Sequence, residues 1–273
     1  MNPGPPAPQA GILNQARRRP HQDTQRIINT LLEMKAKGLS STTIYDISHK
    51  LKRLNQLADF RHPEEVKMAI ANMKVCNNTK TGYAKAYQYF VNTNGLEWKR
   101  PKYKWERKIP LIPTTANIDK IISASSKKYA TIFTILKETG LEGHELATTK
   151  RTHIDSEQGI INAQGCKGHN SRSLKLKPTT AGMLRRYLHR YTGETPFPSA
   201  KSMGEMWRRV RNRLAKTLEQ PQLKAIPLRN LRHYQATRLY DKTKDILLVM
   251  QKLGHKKIRN NHALYSTRKL QRR

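Results

Sequence analysis

The sequence predicts a mostly α-helical protein with one small β-sheet, an α+β fold. Most of the chain carries apolar residues at spacings of three and four, as at Ile47, Leu51 and Leu54, which is the pattern of one helix face. Two short segments, 159–163 and 173–176, break this rhythm, and the turn between them predicts a β-hairpin. A hydrophobic content of 36% is low but sufficient to build cores.

The first third of the chain predicts a tail followed by a helical domain. Residues 1–21 are rich in Pro, Gly and Ala and end in basic residues, which predicts a disordered basic tail. Residues 22–95 then predict a domain of helices that begin at polar capping residues and in one case end at a glycine. Four helices are expected there, at about 23–37, 40–57, 63–73 and 79–92.

Residues 96–114 read as an extended basic linker, because three prolines interrupt a run rich in lysine and arginine. Trp98, Tyr103 and Trp105 are interleaved with these charges. Such aromatics can stack on nucleic acid or pack against a neighbouring domain, and the sequence leaves both open.

From residue 115 to 273 the pattern predicts a second domain of mixed α/β type. Besides the hairpin, six helices are expected, at about 118–122, 129–136, 179–191, 202–219, 231–240 and 242–253. Gly254 is placed to end the last of these helices, with His255 directly after it.

The charge balance predicts a polyanionic partner. The chain has 53 Lys and Arg against 19 Asp and Glu, a formal net charge of +34, and a phosphate backbone rewards each neutralising contact through counterion release. A membrane surface is disfavoured, because no basic amphipathic segment carries an aromatic face, and no apolar run reaches 18 residues. We therefore expect a DNA-associated protein of the cytoplasm without a membrane partner.

Basic residues on the tail, the second helix, the linker and the hairpin are the predicted DNA contacts. They are Arg17, Arg18, Arg19, Lys50, Lys52, Arg53, Lys99, Arg100, Lys102, Lys104 and Arg172. The two cysteines, Cys76 and Cys166, have neither paired spacing nor a cluster of histidines, so neither a disulfide nor a zinc site is expected. No metal and no cofactor is predicted.

Four short boxes in the second domain carry a resemblance to a known family. They are ETGLEGHEL at 138–146, KGHNSR at 167–172, RNLRH at 229–233, and LGH at 253–255 followed by Tyr265. In these boxes the sequence resembles the tyrosine recombinases of the phage-integrase family, and the archaeal integrases most closely. The resemblance implies a helical core-binding domain of SAM-like fold at 22–95, a linker at 96–114 and a catalytic domain at 115–273.

The resemblance also implies a mechanism and its residues. The Tyr265 hydroxyl would attack a DNA phosphodiester, expel a 5′-hydroxyl and form a 3′-phosphotyrosine without ATP or metal. Arg232 would grip two phosphate oxygens, and Lys167 at the hairpin tip would protonate the leaving oxygen. His255 would donate to phosphate, and its place after a helix C-terminus would favour the protonated form.

Two positions depart from the family pattern. Arg229 stands where the third box normally has histidine, and Glu142 stands in place of the first catalytic arginine. A carboxylate about 5 Å from a phosphate repels it by roughly 3 kcal/mol at an effective dielectric near 20. Loss of the first arginine's contact with the phosphate adds roughly 3–4 kcal/mol to the activation barrier. At least a thousandfold loss of rate is therefore expected unless a neighbour such as Lys150 or Arg151 substitutes.

Two further residues beside these boxes receive supporting roles. Glu145 sits where the family has an acidic residue that buttresses the site, or it is a plain helix-face charge. His233 reads as structural or as a neighbour of the phosphate.

The predicted function is site-specific DNA integration by a recombinase of a prokaryotic mobile element. It would act on double-stranded attachment sites, as a homotetramer on synapsed DNA and as a monomer or dimer when free. One alternative is a family member impaired by Glu142 that binds and synapses DNA without cleaving it. The other is a basic nucleic-acid packing protein, which the four ordered boxes disfavour.

Overall fold

The computed structural model describes residues 21–105, 111–165 and 169–255, and its mostly helical architecture with one small sheet confirms the predicted fold class. The chain divides into two compact units, Met1–Arg107 and Lys108–Arg273, at a point inside the segment that the sequence marks as a linker.

The first unit consists of four helices around one apolar core. The helices are α1 (His21–Ala36), α2 (Ser41–Asn55), α3 (Pro63–Asn72) and α4 (Asn77–Asn94). The predicted cap of α2 is present, since Ser40 accepts a hydrogen bond from the Thr43 N–H at 3.3 Å. The core holds the ring of Phe60 edge-on to those of Tyr87 and Phe90.

The aromatic residues of the linker differ in their surroundings. Trp98 and Tyr103 pack against the core of the first unit, and the Trp98 ring lies edge-on to Tyr87 at 4.8 Å. Trp105 is 61% exposed. Of the two roles left open for these side chains, packing therefore applies to Trp98 and Tyr103.

The second unit combines seven helices with a three-stranded antiparallel sheet within the described residues. Its elements are α5 (Thr115–Ser123), α6 (Lys127–Thr139), α7 (Gly143–Ala147), β1 (Ile154–Asp155), β2 (Ile160–Ala163), β3 (Arg172–Lys175), α8 (Pro178–Arg190), α9 (Ala200–Thr217), α10 (Asn230–Thr243) and α11 (Ile246–Leu253). The strand order is β1-β2-β3, with Ile161 opposite Leu174 and Ala163 opposite Arg172. The predicted hairpin is therefore present.

A single core joins α6, the sheet and α9 in this unit. Trp207 packs edge-on against Phe133 at 4.9 Å, and its indole N–H donates to the Ile226 carbonyl at 2.8 Å. Helix α11 packs separately on α10 through Ala236, Val249 and Leu253. These contacts fix the end of α6, the start of α10 and the end of α11, which are the segments that carry the family boxes.

Three kinds of short element were not predicted: α7, strand β1 and two 3₁₀ turns at Arg151–His153 and Pro221–Ala225. Each has between two and five residues, which is too short to show a periodic apolar pattern. Among the described residues, no helix has the length and apolar content that a membrane span requires.

Candidate active site

The candidate site forms where α6, α7, β3, α10 and α11 meet, and Arg232 lies at its centre. The Arg232 side chain is only 6% exposed. One terminal nitrogen, Nη1, donates to the Gly140 carbonyl at 2.9 Å and to Glu145 Oε2 at 3.2 Å. The other, Nη2, donates to the Leu253 carbonyl at 2.6 Å and lies 2.8 Å from His255 Nε2. Arg232 thus ties the first, third and fourth boxes together.

These contacts bear on the predicted role of Arg232 as a grip on two phosphate oxygens, which stays a prediction. A guanidinium has five N–H groups, four of them on the terminal nitrogens. The four contacts of Nη1 and Nη2 match those four donors. Only the Nε–H remains for a phosphate, and the carboxylate of Glu142 lies 3.9 Å from it.

Glu145 is the buried partner of two arginines. Its side chain is fully buried, and it accepts from Arg172 Nη1 at 2.8 Å and Nη2 at 3.1 Å as well as from Arg232. The Glu142 N–H also donates to Glu145 Oε2 at 2.8 Å, at the start of α7.

The pKa of Glu145 reflects these contacts. Burial alone would raise it, but the hydrogen bonds from Arg172 and the Glu142 N–H, with the charges of both arginines, lower the pKa of this carboxyl to about 2. Glu145 is therefore ionised and holds Arg232 in place, which favours the buttress over a plain surface charge.

Arg172 does not lie on the surface, and this corrects its assignment as a DNA contact. Its side chain is 6% exposed, its terminal nitrogens bind Glu145, and its Nε donates to the Lys252 carbonyl at 2.8 Å. The sequence contained a signal for this arrangement. Strand residues two apart face the same side, and Arg172 is two residues from the buried Leu174.

Gly254 is needed for close approach as well as for its backbone angle. It ends α11 with φ of +73°, and a Cβ there would lie 2.7 Å from Arg172 Nη1 and 2.9 Å from the Asn170 carbonyl oxygen. The Asn170 N–H donates to the Gly254 carbonyl at 3.0 Å. The predicted helix-ending glycine therefore also joins the hairpin to α11.

His255 contacts Arg232 through its imidazole ring. A guanidinium has no acceptor, so at 2.8 Å from Arg232 Nη2 the His255 Nε2 must accept the hydrogen bond. This contact makes Nε2 an acceptor from Arg232, and the predicted role of His255 as a donor to phosphate stays a prediction. The His169 ring lies 5.6 Å from that of His255, and its Nδ1 is 3.3 Å from Glu145 Oε1. His169 is a site residue that the sequence reasoning missed.

A cavity opens above this buried layer, and the two residues that depart from the family line it. Glu142, Arg229, Arg232, His233 and His255 contribute to its wall. Arg229 is an exposed residue, and the side chain of Glu142 is 31% exposed. The site therefore has a fixed, buried floor and a more accessible rim.

The charges of the rim act on their neighbours. Burial, followed by the charges of Arg229 and Arg232, lowers the pKa of the half-buried His233 imidazole, while Glu142 opposes this effect. Burial also lowers the pKa of Arg232 against the raising effects of Glu145 and Glu142, with Arg172 and Arg229 acting in the same direction as burial. Arg229 is therefore within electrostatic reach of both residues.

The two basic residues considered as substitutes for the first arginine have other partners. Lys150 forms an ion pair with Glu194 at 2.7 Å. Arg151 donates through Nη1 to the carbonyls of Leu188 and Tyr191, both at 3.1 Å. Neither residue lines the cavity around Arg232.

Several predicted residues lie outside the described part of the chain: Lys167, Tyr265 and the arginines at 17, 18 and 19. Of the predicted DNA contacts that are described, the exposed residues are Lys52, Arg53, Lys99, Arg100, Lys102 and Lys104. Lys50 is partly buried and paired with Asp46. In the described residues, no group of three or more His, Cys, Asp and Glu side chains is arranged to hold a metal ion.

Sequence comparisons connect the second unit with one family. Residues 113–271 match the profile of the phage integrase family, and this range contains Lys167 and Tyr265. The chain is 26% identical to tyrosine recombinase XerA of Pyrococcus furiosus over 183 residues, which cover 63% of this chain and 62% of that protein. It is 25% identical to XerA of Thermococcus kodakarensis over 159 residues, 56% of each chain. The chain thus matches about six tenths of the length of these relatives.

Solved structures show the same fold at low sequence identity. The integrase of the Tn1549 transposon, in complex with circular intermediate DNA, superposes with a TM-score of 0.68 at 17% identity, covering 90% of this chain and 99% of that one. The lambda integrase tetramer bound to a Holliday junction gives a TM-score of 0.67 at 14% identity, covering 86% and 77%.

Proposed function

This chain belongs to the phage integrase family of tyrosine recombinases, and we propose that it cuts and rejoins DNA at specific sites through a 3′-phosphotyrosine. The observation that carries the proposal is the convergence of Arg232, His255 and Arg229 on one cavity, from two separate boxes of the chain. A buried carboxylate, Glu145, holds the central guanidinium in place.

In the proposed reaction, the Tyr265 hydroxyl attacks the scissile phosphorus and a bond forms between its Oη and phosphorus. The bond from phosphorus to O5′ breaks, Lys167 gives a proton to O5′, and the phenolic proton of Tyr265 passes to solvent. Cations at the cavity rim stabilise the charge that develops on the phosphate oxygens. Rejoining is the same sequence in reverse with a new 5′-hydroxyl.

We propose double-stranded attachment sites as the substrate and a homotetramer on paired sites as the active assembly. The relatives with the same fold include one in complex with transposon-derived circular intermediate DNA and one that is a tetramer on a Holliday junction. The net charge of +34 supports a DNA-bound state, and we propose the cytoplasm of a prokaryotic cell as its location.

A second candidate function follows from Glu142. Its carboxylate lies 3.9 Å from the one N–H of Arg232 that remains available, where it would compete with a phosphate. A chain with this arrangement could bind and pair DNA sites without cleaving them.

A covalent-complex assay separates the two functions. The protein is incubated with a nicked duplex that carries the attachment site, identified from the repeat ends beside the coding region. A covalent protein–DNA band that disappears in Tyr265→Phe supports cleavage. If the wild type gives no band but Glu142→Arg does, the chain is a non-cleaving member. If neither gives a band, the assignment of the nucleophile or of the first-arginine position is wrong.

A further inference from the structure

The floor of the site leaves the scissile phosphate short of donors. The resemblance implies two arginines on the phosphate, but Glu142 replaces one of them. The other, Arg232, has its four terminal N–H groups engaged by Gly140, Glu145, Leu253 and His255. If the chain cleaves DNA, as proposed above, a further cation must contact the phosphate.

Three described basic residues near the first and second boxes, Lys150, Arg151 and Arg172, have other partners. Lys150 and Arg151 bind groups outside the cavity. Arg172 is buried, and its contacts with Glu145 and Lys252 involve both terminal nitrogens and Nε. Moving any of these side chains into the cavity would break ion pairs or hydrogen bonds of the folded chain.

Arg229 differs from Lys150, Arg151 and Arg172 in its exposure, its position and its contacts. It is exposed, it lines the cavity that contains Arg232, and its side chain forms no hydrogen bond or ion pair with any of the described residues. It precedes Arg232 by three residues, and its backbone is already helical at the start of α10, with φ of −57° and ψ of −25°. Side chains three residues apart on a helix lie on one face, one turn apart. Arg229 is therefore beside Arg232 and towards solvent.

We propose that Arg229 supplies the guanidinium that the first box has lost, by binding a non-bridging oxygen of the scissile phosphate in the transition state. The substitution of histidine by arginine in the third box would then compensate for glutamate in the first. In this account Glu142 and Arg229 are a functionally coupled pair. This inference depends on the proposed cleavage activity, and it identifies the residue that makes cleavage possible despite Glu142.

The role of Arg229 as a charge, and not as a proton carrier, has a measurable consequence. An arginine stays protonated over the whole accessible pH range, whereas a histidine titrates near neutrality. The cleavage rate of Arg229→His should therefore fall as pH rises through about 6–7, beyond any change seen in the wild type. Arg229→Lys keeps the charge without the fork of donors, so it should retain part of the rate at all pH values.

The test measures single-turnover cleavage of the nicked attachment-site duplex with protein in excess. Two substrates are compared, one with the natural phosphate and one with a methylphosphonate at the scissile position. The methylphosphonate lacks the negative charge that the clamp neutralises. Arg229→Ala should lose about 10²–10³-fold on the phosphate and less than tenfold on the methylphosphonate. Arg238→Ala, an exposed arginine of the same helix that does not line the cavity, is the matched control and should stay within twofold.

A double-mutant cycle tests the coupling of the pair. Arg229→His alone should lose at least a hundredfold on the phosphate. The double variant, Glu142→Arg with Arg229→His, should recover most of the wild-type rate because it restores a guanidinium in the first box.

Four results would overturn the proposal. Arg229→Ala at the wild-type rate shows that the residue is not needed, and equal losses on the two substrates show that it does not act on the phosphate charge. A wild type that forms no covalent complex while Glu142→Arg forms one shows that Arg229 does not compensate, although Tyr265 would stand as the nucleophile. Absence of the complex in every variant overturns both this inference and the proposed function.

Discussion

The floor and the rim of the active site differ in how their charged groups are held. On the floor, Glu145, Arg172 and Arg232 are buried and satisfy one another through several hydrogen bonds. On the rim, Glu142 and Arg229 are exposed to different degrees, and Arg232 is the nearest ion-pair partner of Glu142 at 3.9 Å. Among the described residues, Glu145 and Arg232 keep the family pattern and lie on the floor, whereas Glu142 and Arg229 depart from it and lie on the rim.

This difference indicates what limits sequence change at each place. Removing one member of a buried charge network leaves an unpaired charge in a medium of low dielectric, which costs folding free energy. A rim residue contacts mainly solvent and substrate, so exchanging it changes the chemistry without unfolding the chain. The comparison therefore predicts large stability effects on the floor and small ones on the rim.

The largest expected effect is on the free energy of unfolding, and it distinguishes Glu145 from Glu142, two carboxylates three residues apart. Glu145→Gln should lower the free energy of unfolding of the second unit by about 3–5 kcal/mol, because it leaves two buried guanidinium groups without their anion. Glu142→Gln should change it by less than about 0.5 kcal/mol, because its carboxylate is partly exposed and its ion pair is long.

Urea unfolding followed by the fluorescence of Trp207 measures both variants. Trp207 is buried in the second unit, and replacing Trp98 and Trp105 by phenylalanine in all proteins makes it the only tryptophan, since the chain has 3. Equal destabilisation by the two substitutions would show that floor and rim contribute equally to the stability of the fold.

Acid should weaken the floor through the same carboxyl. The pKa of Glu145 is lowered from 4.5 to about 2 in the folded chain, so the unfolded state binds the proton more strongly. The stabilisation is complete above pH of about 4.5 and is lost as pH falls towards 2, by roughly 3 kcal/mol in total. The measurement is urea unfolding from pH 5 to pH 2.5. The Glu145→Gln variant should show a smaller loss over this range, and an identical slope in both proteins would contradict the assignment.

A smaller effect is expected where α11 meets the hairpin. Gly254→Ala should cost roughly 2–3 kcal/mol, because alanine is strained at φ of +73° and its Cβ would displace Arg172 from Glu145. Gly38→Ala is the control, since its φ is +74° and a Cβ there meets nothing within 4 Å. Gly38→Ala should cost only the backbone strain of alanine at positive φ, about 1–2 kcal/mol of the free energy of unfolding. Calorimetric unfolding of each variant measures the difference, and equal costs would mean that the contact with Arg172 is unimportant.

Much of the fold followed from the sequence because its elements are long and periodic. The four helices of the first unit and the hairpin of the second were predicted within a few residues, since caps such as Ser40 and turns mark their ends. Helix α7 was missed because five residues show no period. Its position nevertheless decides the site, because it brings Glu145 under Arg232.

The active site was predicted less completely, for reasons that depend on hydrogen-bond geometry. The boxes identified Arg232, Glu145 and His255 as neighbours of one site, but not that the terminal donors of Arg232 bind protein groups. The burial of Arg172 was readable from the alternation of β3, and basic composition alone led to its assignment as a DNA contact. The sequence also named Lys150 and Arg151 as substitutes for the missing arginine, and only their partners in the fold exclude them.

The most direct test of the account is a structure of the Tyr265→Phe protein bound to its attachment-site duplex. The account predicts that a terminal nitrogen of Arg229 and the Nε of Arg232 lie within hydrogen-bond distance of non-bridging oxygens of the same phosphate. It also predicts that Glu145, Arg172 and Arg232 keep the contacts described above. A phosphate that is bound by Lys150 or Arg151, or a Glu142 carboxylate that lies between Arg232 and the phosphate with Arg229 turned away, would contradict it.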